Sequence, residues 1–207
     1  MGSTTSSSSA EPSLSDQRKA KTTSAVGVGR TALITGANSG LGFETAAQLA
    51  AAGFTVIVGV RSVEKGDVAI AALVARVPEA AQRLSVASVD VSSLSSVRAY
   101  VESFLATDAP LHVLIRNAGI MMGPQRTSVD GFDLQFATNY LGHFLMTELL
   151  LERLAESASR GTTENGAPTV PSRIVHVSSI AARRGSIRHD DLMHTRKRPY
   201  SSSSASR

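Results

Sequence analysis

The hydrophobic positions of the chain follow two alternating patterns from Arg30 onward. Short apolar or β-branched runs predict buried parallel strands, and apolar residues that recur at i, i+3 and i+4 predict the helices between them. The predicted strands cover residues 31–35, 54–60, 84–91, 111–115 and 173–177. The predicted helices cover about residues 41–52, 62–77, 94–105 and 132–157. This alternation predicts an α/β fold, a doubly wound parallel sheet (Rossmann-like) with right-handed crossovers.

The two ends of the chain lack this pattern. Twelve of the first 24 residues are Ser or Thr, and so polar a stretch cannot bury a core face. We expect residues 1–29 to form a disordered arm, residues 30–200 the folded domain, and residues 201–207 a disordered tail. Two alternatives stay open for the arm: a chloroplast transit peptide instead of a cytoplasmic location, or an N-myristoylation signal at residues 1–6.

Composition excludes several classes of function. A hydrophobic fraction of 42% suffices for a globular core, so the chain as a whole is not disordered. The absence of cysteine excludes a disulfide scaffold, a thiolate metal site and a cysteine nucleophile. No apolar run reaches the length of a membrane span. The five histidines have no metal-ligand spacing, so we expect no metal site and interpret them as structural or surface residues.

The net charge of +4 raises the question of a nucleic-acid partner. However, residues 31–180 hold ten basic and thirteen acidic residues, so the basic excess lies in the two ends. A nucleic-acid-binding face combines clustered basic residues with aromatic ones, and aromatic residues make up only 4% of this chain. We therefore expect no nucleic-acid partner.

A glycine-rich turn joins the first predicted strand to the first predicted helix. Gly36 permits a sharp turn, Gly40 lets the backbone approach a pyrophosphate, and Gly42 lets the helix pack closely on the sheet. The N-terminus of the helix offers free N–H groups and the positive end of the helix dipole. This turn predicts a dinucleotide site formed by Thr35, Gly36, Asn38, Ser39, Gly40, Leu41 and Gly42, with a plain strand-to-helix loop as the alternative.

The end of the second predicted strand indicates which dinucleotide is preferred. An NAD enzyme places Asp or Glu there to accept a hydrogen bond from the ribose 2′-hydroxyl. This chain has Arg61 followed by Ser62 instead. A guanidinium can bind phosphate oxygens through two charge-assisted hydrogen bonds, and the Ser62 hydroxyl offers another. Arg61 therefore favours NADP(H) as the cofactor, with a solvated arginine at the start of a helix as the alternative.

Four further segments follow the glycine-rich turn along the chain. They are Asp90 with Val91, then Asn117 with Ala118 and Gly119, then residues 138–144 (TNYLGHF) and residues 173–179 (RIVHVSS). With the turn at residues 35–42, they resemble the signature of the short-chain dehydrogenase/reductase family. The residues of these segments are most similar to the retinol dehydrogenase-like or WW-domain-oxidoreductase-like branch of that family. One departure is Arg116, which replaces the first Asn of the family's Asn-Asn-Ala-Gly segment.

The resemblance implies an oxidoreductase that moves a hydride between NADP(H) and a small-molecule alcohol or carbonyl substrate. Ser179 corresponds to the family's catalytic serine, which polarises the substrate oxygen. Asn139 corresponds to the Asn that holds a water in the proton relay. The resemblance also implies cofactor contacts at Asp90, Val91, Asn117, Ala118 and Gly119.

The family's proton donor is a Tyr with a Lys four residues later, which lowers the pKa of the Tyr from about 10. None of Tyr100, Tyr140 and Tyr200 has a Lys at that spacing. We expect an incomplete domain whose last strands are missing, with strand 173–177 as an edge open to oligomerisation or aggregation. The alternatives to an active oxidoreductase are a catalytically inactive NADP-binding fragment and a truncated gene product.

Overall fold

The computed structural model describes residues 26–121, 123–160, 171–184 and 189–193. The predicted disorder of residues 1–25 and of the tail at 201–207 lies outside these ranges, as does Tyr200. The strands are β1 (Thr31–Thr35), β2 (Thr55–Val60), β3 (Leu84–Ser88), β4 (Val113–Arg116) and β5 (Arg173–His176). The α-helices are α1 (Gly40–Ala51), α2 (Val63–Arg76), α3 (Leu94–Leu105), α4 (Leu134–Phe136) and α5 (Gly142–Arg160).

The described strands form one parallel sheet in the order β3-β2-β1-β4-β5. In its centre, Ile34 of β1 pairs with Val58 on one side and with Ile115 on the other. The chain moves outward from β1 to β3 and then returns to the other side of β1 with β4. This reversal makes a crevice between the ends of β1 and β4, where ligands bind in open α/β sheets. The predicted doubly wound α/β fold is confirmed.

Apolar side chains on the two faces of the sheet form two separate cores. In β1, Ala32 and Ile34 belong to the core that lies under α1 and α2, whereas Leu33 belongs to the core under α3 and α5. All three side chains are fully buried because a central parallel strand is covered by helices on both faces. The apolar run at the start of the domain therefore places the end of β1 in the middle of the molecule.

Serine caps and glycine turns set the helix boundaries. Ser62 precedes α2 and accepts a hydrogen bond from the backbone N–H of Lys65, and Ser93 does the same for Ser96 in α3. Gly53 ends α1 with a φ of +93°, a conformation that L side chains rarely adopt. These boundaries agree with the predicted ones, and Ser93 is the one of the two candidate serines that caps α3.

Two predicted elements are wrong in detail. The single helix predicted over residues 132–157 is instead α4, a π-helical turn (Ala137–Leu141) and then α5. A π turn holds one more residue than an α turn, and such turns often lie at functional sites. The strand predicted over residues 84–91 ends at Ser88, because the Asp90 N–H donates to Ser96 Oγ at 3.0 Å instead of to the sheet. Asp90 and Val91 consequently lie in the connection that leads to α3.

Strand β5 is an edge of the described sheet. Ile174 and Val175 are 39% and 42% exposed, although strands of a parallel sheet are normally covered on both faces. An apolar edge of this kind can pair with another chain. Oligomerisation or aggregation through β5 stays a prediction. No helix among the described residues has the length and apolar character needed to cross a membrane.

Candidate functional site

A cavity of about 630 Å³ opens at the carboxyl ends of β1, β2 and β4. Its volume falls in the range usual for small-molecule sites, and it lies at the reversal of strand order. Segments far apart in the sequence meet there because the ends of parallel strands share one edge of the sheet. Its walls include ten of the predicted site residues: Thr35, Gly36, Asn38, Ser39, Arg61, Asp90, Val91, Asn117, Ala118 and Gly119.

The three glycines of the turn after β1 serve different purposes. Gly36 has a φ of +65°, and a Cβ on it would lie 2.9 Å from the Cα of Ala118. Gly40 also has a positive φ, but a Cβ there would meet no atom within 4 Å, so this part of the turn faces open space. A Cβ on Gly42 would lie 2.6 Å from the carbonyl oxygen of Gly36. The turn is therefore closed toward the sheet and open toward the outside.

The turn after β1 and the turn after β4 are hydrogen-bonded to each other. The buried Thr35 Oγ1 accepts hydrogen bonds from the backbone N–H groups of Asn117 and Ala118, each at 3.0 Å. In return, Asn117 Nδ2 donates to the carbonyl oxygens of Thr35 at 2.8 Å and of Gly36 at 3.3 Å. Thr35 and Asn117 thus fix the distance between two walls of the cavity.

The carboxylate of Asp90 is oriented by the residue two positions later. Its Oδ1 accepts from the backbone N–H of Ser92 at 2.9 Å and from the Ser92 hydroxyl at 2.7 Å. Its Oδ2 has no hydrogen bond to any residue in the described part of the chain. Asp90 therefore presents one acceptor oxygen at the cavity wall.

Arg61 and Ser62 differ in their availability for a ligand. Arg61 follows β2, is exposed and lines the cavity. The Ser62 hydroxyl caps α2, where it accepts from the Lys65 N–H at 3.3 Å and donates to Glu64 Oε2 at 2.7 Å. This hydrogen bond lowers the pKa of Glu64. Arg61 is therefore the group at this strand end that can turn toward a ligand, and Ser62 is engaged in the cap.

The sequence matches a known family over most of the described domain. The family model named short chain dehydrogenase matches residues 30–190. The chain belongs to the short-chain dehydrogenase family. Among curated proteins, retinol dehydrogenase 12 of Mus musculus is 44% identical over 164 residues, which are 79% of this chain and 48% of that protein. The chain thus spans about half the length of the curated relatives that it matches.

Solved structures of short-chain dehydrogenases share the fold. A crystal structure of an uncharacterized protein from Mycobacterium paratuberculosis is 40% identical, with a TM-score of 0.70 over 90% of this chain and 59% of that chain. RhlG of Pseudomonas aeruginosa, solved as an NADP complex, is 26% identical, with a TM-score of 0.60 over 77% of this chain and 58% of that one. A Brucella melitensis 3-ketoacyl-(acyl-carrier-protein) reductase complexed with NADH is 28% identical, with a TM-score of 0.57 over 76% and 60% of the two chains.

The side chain of Asn139 connects the π-helical turn to the loop after β4. Its Nδ2 donates to the carbonyl oxygen of Ile120 at 2.9 Å, and its Oδ1 accepts from the Ile120 N–H at 2.9 Å. Both ends of the amide are therefore engaged with one backbone unit. In this chain, Asn139 holds the cavity wall that contains Gly119 and Ile120, and its water-holding role stays a prediction.

The structure does not bring Ser179 into the cavity wall. Ser179 follows β5 and is exposed, and residues 180–184 continue as a 3-10 helix (Ile180–Arg184). Gly40, Leu41 and Gly42, the first three residues of α1, are also outside the wall. The described geometry therefore assembles the predicted cofactor residues more completely than the predicted catalytic ones.

The tyrosines of the described ranges do not resemble the family's proton donor. Tyr100 is mostly buried beside Phe104 in the core under α3, and burial raises its pKa. A proton donor near neutral pH needs the opposite shift. Tyr140 is half exposed and stacks between Phe136 and Phe144, four residues away on either side. Neither tyrosine lines the cavity.

The sequence does not indicate part of the cavity wall or the contact that one buried histidine makes. The loop between Gly119 and α4 forms one side of the cavity, and Asp130 Oδ2 in that loop accepts from the Leu94 N–H at 2.9 Å. The sequence of this loop has no periodic pattern that predicts where the loop lies. His143, interpreted from the sequence as a structural or surface residue, is 1% exposed and lies 2.8 Å from Thr35 Oγ1. The wall residues not predicted from the sequence include Gly59, Val60, Ser92, Met121, Pro124, Arg126, Gln135 and Thr138.

Proposed function

We propose that the chain binds NADP(H) in the cavity. We propose further that it acts as part of an oxidoreductase, which moves a hydride between this cofactor and a small-molecule alcohol or carbonyl compound. The observation that carries the proposal is the meeting of the glycine-rich turn, Arg61, Asp90 and Asn117 at one cavity. When bound, the nicotinamide ring of such a cofactor supplies or accepts the hydride. The chain's own residues bind and orient the two reactants.

The start of α1 suits the pyrophosphate of a dinucleotide. Ser39 is the N-cap residue, but its side chain makes no capping hydrogen bond, and the first turn of α1 holds no acidic residue. The first N–H groups of a helix need partners, and the helix dipole favours an anion there. With open space at Gly40, the turn can accept phosphate oxygens close to the backbone. The two turns hydrogen-bonded through Thr35 would hold the cofactor between them.

The adenosine end of the cofactor suits the walls formed by Arg61 and Asp90. The Asp90 Oδ2 can accept a hydrogen bond from the adenine amino group, because Ser92 occupies only Oδ1. Arg61 can bind a 2′-phosphate, whereas an acidic residue at the strand end would repel it. The assignment of NADP(H) over NAD(H) therefore depends on Arg61.

Removing the Arg61 guanidinium is expected to abolish most of the preference for NADPH over NADH. Arg61→Ala should weaken NADPH binding about ten- to a hundredfold, because a charge-assisted contact to phosphate is lost. Binding of NADH should change little, since NADH has no 2′-phosphate. Both dissociation constants can be measured from nicotinamide fluorescence. Arg126→Ala, in the same cavity wall but on another loop, serves as a charge-matched control. Tighter binding of NADH than NADPH by the unmodified chain would contradict the role given to Arg61.

Turnover by the 207-residue chain is expected to be weak even with NADPH bound. In the family, Ser179 and Asn139 correspond to the residues that orient the substrate oxygen and a water, and neither of these roles supplies the proton donor. The sequence contains no Tyr with Lys four residues later, and general acid–base catalysis contributes about 10²–10⁴-fold. We therefore expect at least about a 100-fold lower rate than for a longer chain that carries a Tyr-x-x-x-Lys segment.

The assay for this prediction is NADPH oxidation with a panel of aldehydes, quinones and retinal. Retinal is included because retinol dehydrogenases are among the relatives. Turnover within tenfold of that of the longer chain would contradict the prediction. In that case Tyr200→Phe is the first variant to make, because Tyr200 then becomes the candidate proton donor.

A further inference from the structure

A buried imidazole lies beneath the cavity, where the proposed chemistry does not use it. His143 is in the first turn of α5, immediately after the π-helical turn, and its side chain is almost completely buried. Its Nε2 lies 2.8 Å from the Oγ1 of Thr35, the last residue of β1. Helix α5, from the second half of the sequence, is thereby hydrogen-bonded to the first residue of the glycine-rich turn.

The hydrogen bonds around Thr35 indicate the direction of this contact. A hydroxyl oxygen has two lone pairs and one proton. The N–H groups of Asn117 and Ala118 both donate to Thr35 Oγ1, which uses the two lone pairs. The proton can go to His143 Nε2 at 2.8 Å or to the carbonyl oxygen of Ile115 at 3.4 Å. The shorter distance favours His143 Nε2 as the acceptor, with the ring proton on Nδ1.

The surroundings of His143 keep the ring neutral, as an acceptor must be. Burial lowers its pKa to about 4, and the neighbouring Arg116 and His176 act in the same direction. The backbone of Asn139 and Thr138 opposes this shift but does not cancel it. A protonated ring would direct a third N–H donor at Thr35 Oγ1. The neutral ring instead leaves the hydroxyl free to accept from both backbone N–H groups.

The residues just before His143 contact two other walls of the same cavity. Asn139 pairs with the backbone of Ile120 in the loop after β4. A Cβ on Gly142 would lie 1.8 Å from the carbonyl oxygen of Val91, so this glycine brings α5 against the segment after β3. Residues 139–143 therefore contact three segments that line the cavity, namely the end of β1 and the segments that follow β3 and β4.

We propose that His143 is a positioning residue for cofactor binding: its neutral imidazole holds the Thr35 hydroxyl, and the hydroxyl holds the backbone of Asn117 and Ala118 against the glycine-rich turn. Only the expected effect of His143 on cofactor binding rests on the proposed NADP(H) function. The positioning itself concerns the two turns and can be measured without a ligand. Loss of the imidazole would let the turns separate and weaken the cofactor site.

The test compares two replacements of His143 in the full 207-residue chain. His143→Leu fills most of the space without a polar group and should weaken NADPH binding about tenfold, the equivalent of one hydrogen bond. His143→Gln can return an acceptor near the Nε2 position and should bind within about threefold of the unmodified chain. Thr35→Val combined with His143→Leu should be no weaker than Thr35→Val alone, because both remove the same interaction.

A control separates positioning from a general loss of stability. Ser157→Ala, on the same helix, removes another buried hydroxyl, which accepts from the Leu111 N–H at 2.8 Å away from the cavity. It should lower the melting temperature without changing the NADPH dissociation constant. Equal weakening of binding in Ser157→Ala and His143→Leu would overturn the proposal.

Amide hydrogen exchange tests the positioning independently of the cofactor. His143→Leu should speed exchange at Asn117 and Ala118 about tenfold in the ligand-free chain, and Ser157→Ala should not. Unchanged exchange at these two amides would overturn the proposal. If the unmodified chain fails to bind NADPH, the proposed function fails, and the exchange rates still decide whether His143 positions the turns.

Discussion

Replacement of Gly142 by alanine is expected to lower the free energy of unfolding by about 3 kcal/mol, the upper part of the usual range for overpacking. In an ordinary helix the same change stabilises the protein, because alanine has the higher helix propensity. Here the added Cβ would lie 1.8 Å from the carbonyl oxygen of Val91 and 2.8 Å from its carbonyl carbon. Both atoms are backbone, so no side-chain rotation relieves the contact.

Urea unfolding of the Gly142→Ala variant measures this loss. Gly123→Ala is the matched control, because a Cβ on Gly123 would meet no atom within 4 Å. The control should stay within about 0.5 kcal/mol of the unmodified chain. If Gly142→Ala is as stable as the control, helix α5 does not approach the segment after β3 as closely as described here.

Replacement of Arg153 by methionine is expected to cost about 3 kcal/mol of stability, because three carbonyl oxygens lose a charged donor. Arg153 extends from α5 to the end of α3, where helix carbonyls lack partners within the helix. Its guanidinium donates to the carbonyl oxygens of Leu105 at 3.2 Å, Thr107 at 3.0 Å and Ala109 at 2.7 Å. It also lies 5.9 Å from the centre of the Phe104 ring. Methionine keeps the apolar stem, so the loss reports mainly on the polar contacts.

A second arginine of the same helix is the control for Arg153. Arg160 pairs with Asp108 at 2.9 Å, but its side chain is 45% exposed, compared with 10% for Arg153. Exposed ion pairs contribute little, so Arg160→Met should cost less than about 1 kcal/mol. Equal losses of unfolding free energy in the two variants would show that the buried contacts of Arg153 do not determine its effect.

The succession of strands and helices along the chain could be predicted because each element depends on a local pattern of residues. The run at β1, the glycines that follow it and the serine caps each act within a few residues. Arg61 could be predicted from its position at the end of a strand, whereas the family resemblance assigns Asp90 and Asn117 to the site. The residues that the resemblance assigns to the cofactor and that follow predicted strands do meet at one cavity, because the ends of parallel strands share one edge of the sheet.

The remaining features depend on contacts between distant segments. The contact of His143 with Thr35 joins residues 108 positions apart, and no pattern around either residue indicates it. The π-helical turn lies where Asn139 and Gly142 contact two other walls, and a helical pattern of apolar residues does not distinguish it from an α-helix. Strand β3 ends earlier than the sequence predicts, because the Ser96 hydroxyl, eight positions beyond Ser88, accepts a hydrogen bond from the N–H of Asp90.

The most direct test of the proposed NADP(H) site is a titration of the isotope-labelled chain with NADPH, followed through its backbone amide resonances. Binding at the cavity predicts saturable shifts at the glycine-rich turn, Arg61, Asp90 and Asn117, with smaller changes along the outer face of α5. NADH should shift the amides of the turn as well, but at higher concentration and with little effect at Arg61. Shifts confined to other surfaces, or none up to millimolar NADPH, would contradict the proposed function.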